Sequence, residues 1–381
     1  MIGKVCFITS YFPPVSIGGV ERYILNISES LQKEGIDSSI ITRHYFHLPR
    51  YERQESFEVF RVGLNPIPQS RFRQLRYISQ LLSPITYIES GIGAAIAISK
   101  DANVIHSQLG TLHDLNFGIK LSLKTKKKHI VTVHGRFGRE SEDIPPEIVE
   151  SLLQSHYIIV NRKESLEYLS EKGARNIALL RNPIPVDRYR NAESRTKDRI
   201  NDDEITLLFV GRLSYRRGPF LALQAFSRIH KEFPNANLLI IGEGDMLSQL
   251  SDFVKKNELG QKVKFLGKIM DIRPYLWKSD IFLATSPIAN SPSLSLREAM
   301  AAGLAVLATN VEETSEVVEN EVSGILASPS PESISSGLRR MLENNEIRNR
   351  LKNNAAERAQ SFRIDKYTSE LVEIYKKMEV I

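Results

Sequence analysis

The sequence predicts an α/β protein with parallel sheets, divided into two domains. Short apolar segments of strand length alternate with helical patterns along the chain, which is typical of βα units in a parallel sheet. The alternation is interrupted at residues 190–204, where RNAESRTKDRINDDE is strongly charged and almost free of apolar side chains, as expected of a linker. We therefore predict one domain over residues 1–192 and a second over residues 193–361.

The strands are predicted from short apolar runs, each followed by a turn or a helical pattern. In the first domain a helix is expected near Val20–Gly35. The strands predicted there are Val5–Thr9, Ser39–Thr42, Val104–Ser107, His129–Val133 and Tyr157–Val160. Those predicted in the second domain are Ile205–Val210, Leu238–Ile241, Val263–Leu266, Ile281–Ala284 and Ala305–Ala308.

Length and composition indicate a soluble globular protein. The 381 residues are 41% apolar and 25% charged, which suits two domains with cores of their own. The first apolar run meets two prolines, so it predicts a first strand and not a secretory signal, and no window approaches the length of a membrane span. The single cysteine, Cys6, excludes an internal disulfide and is expected to pack in the core. We expect a cytoplasmic protein.

The formal net charge of +6 favours anionic partners, but no long basic arm is present. The densest basic run, Lys124–Lys128, is interpreted as a solvated helix end in preference to a nucleic-acid patch. The region Ser70–Lys100 mixes arginines with apolar residues in an amphipathic pattern. It fits either an ordinary core-facing helix, which we favour, or a segment that lies on an anionic membrane.

The segment Pro287–Thr309 is a polar loop that leads into a short helix and then a buried strand. We predict the helix over Arg297–Ala302, and its N-terminus would offer unpaired N–H groups and a favourable dipole to a diphosphate. Glu298 could bind the hydroxyls of a ribose. Equally, Ser295 and Glu298 have the spacing of a capping box, and the local sequence leaves both roles open.

Two arginines follow the strand Ile205–Val210, in the segment GRLSYRRG. Arg212 and Arg217 lie across a strand-to-helix turn with a glycine at each end, so both guanidinium groups could converge on one anion. A phosphate clamp is favoured over a pair of unrelated surface arginines, because both flank the carboxyl end of a strand.

Glycines and a histidine mark three further turns. Gly18 and Gly19 could allow a ligand to approach the backbone, or they could serve only a turn. His134 follows a strand, and alone it would be read as structural. Gly242 opens the segment GEGD, but Leu247 stands where a dinucleotide fingerprint needs its third glycine. Scattered histidines and the absence of a D-x-D motif give no support to a metal site.

In this order, the segments GGVER, VHG, GRLSYRRG, GEGD and SLREAMAAG resemble the retaining glycosyltransferases of the GT-B fold, specifically glycosyltransferase family 4. The resemblance runs from Ile8 to about Leu326. It implies two Rossmann-like domains whose parallel sheets face a central cleft. The nucleotide would be held mainly by the second domain and the acceptor by the first, with a C-terminal helix at residues 362–381 packing back on the first.

The resemblance also implies roles for single residues. Arg212 and Arg217 match basic residues on the donor diphosphate, and Glu298 matches the carboxylate on the ribose, which favours its functional role over capping. His134 matches a histidine near the transferred sugar. The other residues implied to bind the donor are Gly18, Gly19, Gly242, Ser293, Leu294 and Ser295.

One expected carboxylate is missing. The family has a second glutamate eight residues before the ribose-binding one, and that position here is Asn290. Asparagine can still hydrogen-bond a sugar but brings no negative charge to an oxocarbenium-like transition state. We count Asn290, with Arg212, Arg217 and His134, among the residues expected at the reacting centre. Arginine in place of the usual lysine at position 217 keeps the charge and changes its geometry.

The resemblance implies transfer of a sugar, with retention, from a nucleotide-diphosphate donor such as a UDP- or GDP-sugar to an acceptor hydroxyl, without metal or other cofactor. The acceptor could be a glycan, a lipid-linked glycan or a small glycoside; no nucleic acid is expected. The basic region Ser70–Lys100 weighs slightly toward a membrane-associated lipid or polysaccharide acceptor, and with it toward peripheral contact with the inner face of the membrane. Asn290 supports an alternative, a catalytically weak nucleotide-sugar-binding partner subunit. A sugar-nucleotide epimerase ranks last, since no dedicated acid/base pair is evident.

Overall fold

The computed structural model describes residues 3–16, 18–45, 47–64, 84–134, 146–190, 204–288, 294–311 and 314–381. The chain divides into two compact units. Unit 1 comprises Met1–Pro183 and Ile364–Ile381, and unit 2 comprises Ile184–Arg363. The division therefore falls N-terminal to the charged stretch predicted to be the linker, of which residues 191–203 lie outside the described part of the chain.

Unit 1 is built on one sheet. Its described strands are β1 (Lys4–Ile8), β2 (Asp37–Arg43), β3 (Tyr51–Arg53), β4 (Glu58–Val62), β5 (Val104–Leu109), β6 (Lys128–Val133), β7 (Tyr157–Val160) and β8 (Ile177–Leu179). They lie in the order β3-β4-β2-β1-β5-β6-β7-β8, and all neighbours are parallel except β3 and β4. The chain moves outward from β1 to β2 and then resumes on the other side at β5. The carboxyl ends of β1 and β5 therefore flank the switch point of this sheet.

Unit 2 has a wholly parallel sheet over its described residues. Its strands are β9 (Ile205–Val210), β10 (Ala236–Ile241), β11 (Val263–Phe265), β12 (Ile281–Ala284), β13 (Ala305–Thr309) and β14 (Ile325–Ala327). Their order is β11-β10-β9-β12-β13-β14, which is the strand order of a Rossmann fold. The chain runs outward from β9 through β10 to β11 and then returns to β12, on the other side of β9, so the switch point lies between β9 and β12. In such sheets a ligand binds beyond the carboxyl ends of the two strands at this point.

Helices cover both sheets. Those in the described residues are α1 (Gly19–Lys33), α2 (Ser90–Ile98), α3 (Leu112–Thr125), α4 (Pro146–Leu153), α5 (Lys163–Glu171), α6 (Pro219–Ser227), α7 (Leu247–Lys256), α8 (Arg273–Lys278), α9 (Leu294–Ala301), α10 (Thr314–Val317), α11 (Pro331–Glu343), α12 (Asn345–Arg358) and α13 (Ile364–Lys377). None of the helices that the structure describes has the length and apolar composition needed to cross a bilayer.

The predicted strands are present, and three of them have the predicted bounds: Tyr157–Val160, Ile205–Val210 and Ile281–Ala284. The others differ by one or two residues at their ends. Four strands were not predicted, namely β3, β4, β8 and β14. The apolar strands β8 and β14 have only three residues each, which is too short to be recognised from the sequence. Charged side chains interrupt the other two, β3 (YER) and β4 (EVFRV).

The C-terminal helix α13 belongs to unit 1, where buried polar contacts join it to α1 and to the sheet. The hydroxyls of Tyr23 on α1 and Tyr367 on α13 are 2.8 Å apart. His106 on β5 lies between Tyr375 of α13 and Thr132 of β6, with 2.8 Å from a ring nitrogen to each hydroxyl. Buried hydrogen bonds of this kind fix one arrangement, because any other would leave polar groups unsatisfied in the core.

Buried histidines make the stability of unit 1 sensitive to acid. Loss of hydration lowers the pKa of His129 to about 3 and that of His134 to about 4, and it holds the pKa of His106 well below its usual value. In the unfolded chain each of these histidines would have a pKa of about 6.5. Below that pH the unfolded state binds more protons than the native state. Stability is therefore lost as pH falls from about 6.5 toward about 4.

We expect the free energy of unfolding of unit 1 to fall over this window, by up to about 1.4 kcal/mol per pH unit for each proton of difference. Burial raises the pKa of Asp114 to about 6, so this one carboxyl group gains stability for the native state as pH falls. The three histidines lose stability over the same window and outweigh it. Urea unfolding followed by circular dichroism measures the whole chain, and the fluorescence of the single tryptophan, Trp277, reports unit 2. An unchanged circular dichroism midpoint at pH 5 would contradict this expectation.

Candidate functional site

Three loops follow neighbouring strands at the carboxyl edge of the unit 2 sheet. Residues 211–218 follow β9, residues 242–246 follow β10, and residues 285–288 follow β12. Since β9 lies between β10 and β12, these loops meet at the switch point of the sheet. Arg212, Arg217 and Gly242, all predicted to bind the donor, lie on them.

The loops after β9 and β10 are packed backbone against backbone. A Cβ added at Gly242, whose φ is +143°, would lie 1.9 Å from the carbonyl oxygen of Gly211. A Cβ at Gly244 would lie 2.2 Å from the carbonyl oxygen of Leu213. The N–H of Leu213 in turn donates to the carbonyl oxygen of Glu243 at 2.9 Å. Both glycines of the segment GEGD are thus required by packing, which explains the motif without a dinucleotide fingerprint.

The loop after β9 is also joined to the loop after β12. Gly218 has a φ of +70°, and a Cβ there would lie 1.7 Å from the carbonyl oxygen of Thr285. Thr285 Oγ1 donates to Gly218 O at 2.8 Å, and Ser286 Oγ donates to Arg216 O at 2.6 Å. The backbone that carries the two predicted arginines is therefore fixed at both of its ends.

The predicted phosphate-binding arginines lie on this fixed loop. Arg212 is exposed two residues beyond the end of β9, and Arg217 is partly buried on the 3₁₀ turn Tyr215–Arg217. The positive-φ Gly218 then ends the turn, and Pro219 begins α6. The sequence prediction of two guanidinium groups at a strand-to-helix turn matches this local structure.

The first turn of α9 lies at the end of β9. Ser295 Oγ donates to the carbonyl oxygen of Val210, the last residue of β9, at 3.0 Å. The helix begins at Leu294, three residues before the predicted start at Arg297, because its first turn is buried against the sheet. Ser295 is therefore the second residue of the helix and not its N-cap, as a capping box with Glu298 would require.

Glu298 lies on the same helix and is 1% exposed. Its Oε1 accepts a hydrogen bond of 2.8 Å from the hydroxyl of Tyr189. The backbone of Tyr189 is held in turn by Trp277, whose Nε1 donates to Tyr189 O at 2.9 Å. A distant tyrosine therefore orients the carboxylate, and the capping interpretation of Ser295 and Glu298 is wrong.

The charged groups at this edge suit an anion. The N-terminus of α9 and the guanidinium groups of Arg212 and Arg217 are all positive, and helix N-termini bind phosphate through unpaired N–H groups. In the part of the chain that the structure describes, no three His, Cys, Asp or Glu side chains are grouped to hold a metal ion. Asn290 and Ser293, both predicted site residues, lie outside the described residues.

Unit 1 carries the remaining predicted residues. Gly18 precedes α1, and its N–H donates to the carboxylate of Glu21 at 2.7 Å, which satisfies one free donor of the first turn. A Cβ added at Gly18 would lie 2.8 Å from that carboxylate, whereas a Cβ at Gly19 would meet nothing within 4 Å. The contact at Gly18 is with the far end of a flexible side chain, which can move, so packing does not require glycine at either position.

His134 follows β6, on the same unit. Its Nε2 is 2.8 Å from Oε1 of Gln108 on β5, and its ring meets the edge of the Tyr23 ring with centroids 4.9 Å apart. Loss of hydration lowers the pKa of His134 to about 4, while a hydrogen bond with Asn182 acts in the opposite direction. The imidazole is thus neutral near pH 7 and is positioned by Gln108 and Tyr23.

Two residues that hold the site were not found from the sequence, namely Tyr189 and Gln108. Tyr189 lies 109 residues before Glu298, and Gln108 lies 26 residues before His134. Neither belongs to a motif. Gln108 could have been suspected because it lies at the carboxyl end of a predicted buried strand. No feature of the sequence marks Tyr189.

Family comparison decides what kind of protein carries this site. A model described as Glycosyltransferase Family 4 matches residues 17–188, and one described as Glycosyl transferases group 1 matches residues 190–358. The chain belongs to the GT4-type glycosyltransferases. The predicted family and the predicted GT-B fold class are therefore confirmed.

Individual relatives agree with this assignment. The glycosyltransferase is 28% identical to an uncharacterized glycosyltransferase of Methanocaldococcus jannaschii, over 98% of each chain. It is 27% identical to a phosphatidylinositol N-acetylglucosaminyltransferase subunit of Homo sapiens, over 89% of this chain and 68% of that protein. The structure of Anabaena HepE in complex with UDP-glucose matches with a TM-score of 0.75 and 17% identity, over 99% of this chain and all of that one. This structural likeness shows the shared fold.

The packing of Gly242 against Gly211 can be tested by substitution. We expect Gly242→Ala to destabilise unit 2 by about 2 kcal/mol or more, because the new Cβ would collide with a backbone carbonyl at a positive φ. Urea unfolding followed by Trp277 fluorescence measures this loss. Gly260→Ala is the matched control, since a Cβ there meets nothing within 4 Å. Equal midpoints for the two variants would show that the loops are not in contact.

The contact between Gln108 and His134 can be tested by titration. Gln108→Glu would place a buried carboxylate 2.8 Å from the ring, so we expect the pKa of His134 to rise from about 4 toward or above its ordinary value. The ring signals of labelled histidine in nuclear magnetic resonance spectra measure it. Gln32→Glu is the control: it adds the same charge on the exposed face of α1 and should leave the pKa of His134 unchanged. A His134 pKa that stays near 4 in Gln108→Glu would refute the contact.

Proposed function

We propose that this glycosyltransferase moves a hexose from a nucleotide-diphosphate donor to an acceptor hydroxyl, with retention at the anomeric carbon and without a metal ion. The observation that carries the proposal is the contact between Ser295 on α9 and Val210 at the end of β9, at 3.0 Å. It brings a helix N-terminus to the same strand end that Arg212 follows. Together they are proposed to form a cationic seat for a diphosphate at the switch point of the unit 2 sheet.

Catalysis would depend on charge that develops in the leaving group. As the glycosidic bond breaks, the nucleoside diphosphate gains negative charge, and donors fixed beforehand stabilise it more in the transition state than in the ground state. Arg212, Arg217 and the amides of the first turn of α9 would supply this stabilisation. In transferases that use a divalent metal the ion supplies such positive charge, and two guanidinium groups provide an equivalent here.

Glu298 is proposed to bind the ribose of the donor. It lies three residues beyond Ser295, roughly 4.5 Å further along the helix axis, which is the scale of the step from a phosphate to its ribose. Its hydrogen bond from Tyr189 fixes the carboxylate in one rotamer. A buried and oriented carboxylate can accept hydrogen bonds from two adjacent hydroxyls at little entropic cost.

The groups of unit 1 are proposed to act on the donor sugar. Since His134 is neutral near pH 7, it would exchange hydrogen bonds with a sugar hydroxyl and not act as a cationic acid. Gly18 and Gly19 would give the sugar and diphosphate close access to the backbone, as Gly19 has free space where a side chain would be. Asn290 is proposed to contact the donor sugar as a neutral hydrogen-bonding group.

For the acceptor we propose a lipid or a lipid-linked glycan, with the enzyme acting in the cytoplasm at the inner face of the membrane. The name of the human relative refers to phosphatidylinositol, a lipid. Within unit 1, an uncharged helix with exposed apolar side chains supports the same choice. UDP is the favoured nucleotide, because UDP-glucose is bound in the HepE structure.

A second candidate is a nucleotide-sugar-binding partner subunit with weak catalysis. Asn290 supports it, because loss of the expected carboxylate removes a charge that could stabilise an oxocarbenium-like centre. The two candidates make the same prediction for donor binding and opposite predictions for turnover.

The test combines donor binding with turnover. We expect one or more of a panel of UDP-, GDP- and ADP-sugars to raise the Tm, because a ligand that binds only the native state must stabilise it. With that donor at saturation, Arg212→Ala should lower kcat by about 10²–10³-fold, as is typical when one donor to a developing oxyanion is removed. Transfer to lipid extracts or hydrolysis of the donor measures turnover.

Arg339→Ala is the matched control, since Arg339 is a surface arginine of unit 2 paired with Glu232. It should leave both Tm shift and kcat unchanged. Near-normal turnover of Arg212→Ala would reject its catalytic assignment. A Tm shift without transfer or hydrolysis would favour the partner-subunit candidate, and no shift with any sugar nucleotide would reject the whole site.

A further inference from the structure

Helix α2, Ser90–Ile98, presents apolar side chains to the solvent. Its sequence, SGIGAAIAI, contains no charged residue, yet only Gly91 and Ala95 are buried. These two small residues explain the close inner packing, since a Cβ at Gly91 would lie 3.0 Å from Val62 Cγ2. Ile92 and Ile98 also pack partly against the core of unit 1, so internal packing accounts for the inner face of α2. It leaves the exposed outer face, Gly93, Ala94, Ile96 and Ala97, unexplained.

Exposed apolar groups continue on both sides of this helix. Ile96 is 37% exposed on α2, Ile85 is 57% exposed on the π-helical turn Pro84–Glu89 that leads into it, and Leu123 is 74% exposed on the neighbouring α3. Gly93, Ala94 and Ala97 of α2 are also exposed. We call these residues the α2 face. Of the predicted amphipathic region Ser70–Lys100, residues 70–83 lie outside the described residues.

Two contacts show that α3 runs along α2. Lys120 of α3 pairs with Glu89 at the start of α2. Lys127, just after α3, donates to the carbonyl oxygen of Lys100, beyond the other end of α2, at 2.8 Å. Leu123 follows Lys120 by three residues, which places it on the same side of α3 as the lysine that pairs with Glu89. The α2 face is therefore one surface formed by two adjacent helices.

Lysines surround the α2 face. The basic residues on its border are Lys100, Lys120, Lys124, Lys126 and Lys127, and the acidic residues of the same segments that are exposed are Glu89 and Asp101. Lys100, Lys124 and Lys126 are exposed. An apolar centre with a cationic border is complementary to a bilayer that has anionic headgroups, where apolar side chains insert and lysines meet the lipid charges.

We infer that the α2 face docks unit 1 onto an anionic membrane surface. Apolar side chains of α2, with Ile85 and Leu123, enter the interface, and the exposed lysines Lys100, Lys124 and Lys126 contact the headgroups. A second copy of the chain fits the surface less well, since a two-fold contact would place like-charged lysine borders against each other. The inference rests on the proposed action at the inner face of the membrane and names the surface that makes the contact. It does not depend on the donor site of unit 2.

Vesicle co-sedimentation tests the inference with the full chain. Vesicles of phosphatidylcholine with about one-third phosphatidylglycerol should bind the protein, and pure phosphatidylcholine vesicles should bind it less, because each lysine near an anionic surface contributes about 1 kcal/mol. Raising the salt concentration should weaken binding. Leu123→Glu and the double variant Lys124→Glu with Lys126→Glu should each lower the partition coefficient by about tenfold or more.

Matched controls come from unit 2. Val322→Glu replaces another exposed apolar residue, and Lys255→Glu with Lys256→Glu reverses two exposed lysines in the last turn of α7. These variants should bind vesicles like the wild type. No binding of the wild type to anionic vesicles, or equal losses in test and control variants, would overturn the inference. The inference would also be overturned if sedimentation velocity showed a self-associated state that Leu123→Glu abolishes, while the binding of this variant to vesicles is unchanged. The sugar-nucleotide Tm shift, measured on the same variants, reports the donor site separately.

Discussion

Close backbone contact at the carboxyl edge of the unit 2 sheet is the constraint on which the candidate site depends. Gly242 lies against the carbonyl of Gly211, and Gly218 lies against the carbonyl of Thr285, so three loops are packed with no room for a side chain between them. This contact fixes the backbone of the loop that carries Arg212 and Arg217. Without it each arginine would lose conformational entropy on binding an anion, and much of the electrostatic benefit would be offset. The glycines thus make the loops of the candidate site rigid, whether or not they touch a ligand.

The parallel sheets could be predicted from sequence because their strands are buried on both faces. Such strands appear as continuous apolar runs, and Ile205–Val210 and Ile281–Ala284 were predicted with their observed bounds. The edge strand Tyr51–Arg53 was missed for the opposite reason: it is half exposed and polar, and its pairing depends on a neighbour that local sequence does not reveal. The start of α9 was missed because Leu294 and Ser295 lie in a serine-rich stretch that resembles a loop. In the structure these residues form the buried first turn of the helix, and Ser295 joins that turn to β9 through Val210.

The candidate site was predictable where a residue has a fixed place relative to a strand end, and not where its partner is distant. Arg212 could be identified because every loop after a parallel strand is a candidate. Tyr189 could not, since its link to Glu298 spans 109 residues and no pattern marks it. The resemblance to family 4 identified Glu298 but gave no information on what holds it. Family likeness therefore supplied the groups that would meet the ligand, and the structure supplied the groups that orient them.

Local sequence left two roles open for Glu298, helix capping with Ser295 and binding of ribose hydroxyls. The position of Ser295 in the helix distinguishes between them. A capping box requires the serine before the first turn, whereas Ser295 lies inside α9 and uses its hydroxyl to join the helix to β9. Capping therefore cannot explain why a carboxylate is buried at this position. Burying a carboxylate is unfavourable unless hydrogen bonds compensate for lost hydration, and an apolar residue would fill the same space at less cost. The hydrogen bond from Tyr189 compensates in part and also orients the group, as a ligand for hydroxyl groups requires. Burial therefore makes Glu298 a poor choice for stability, as expected if it has the proposed role of binding hydroxyl groups.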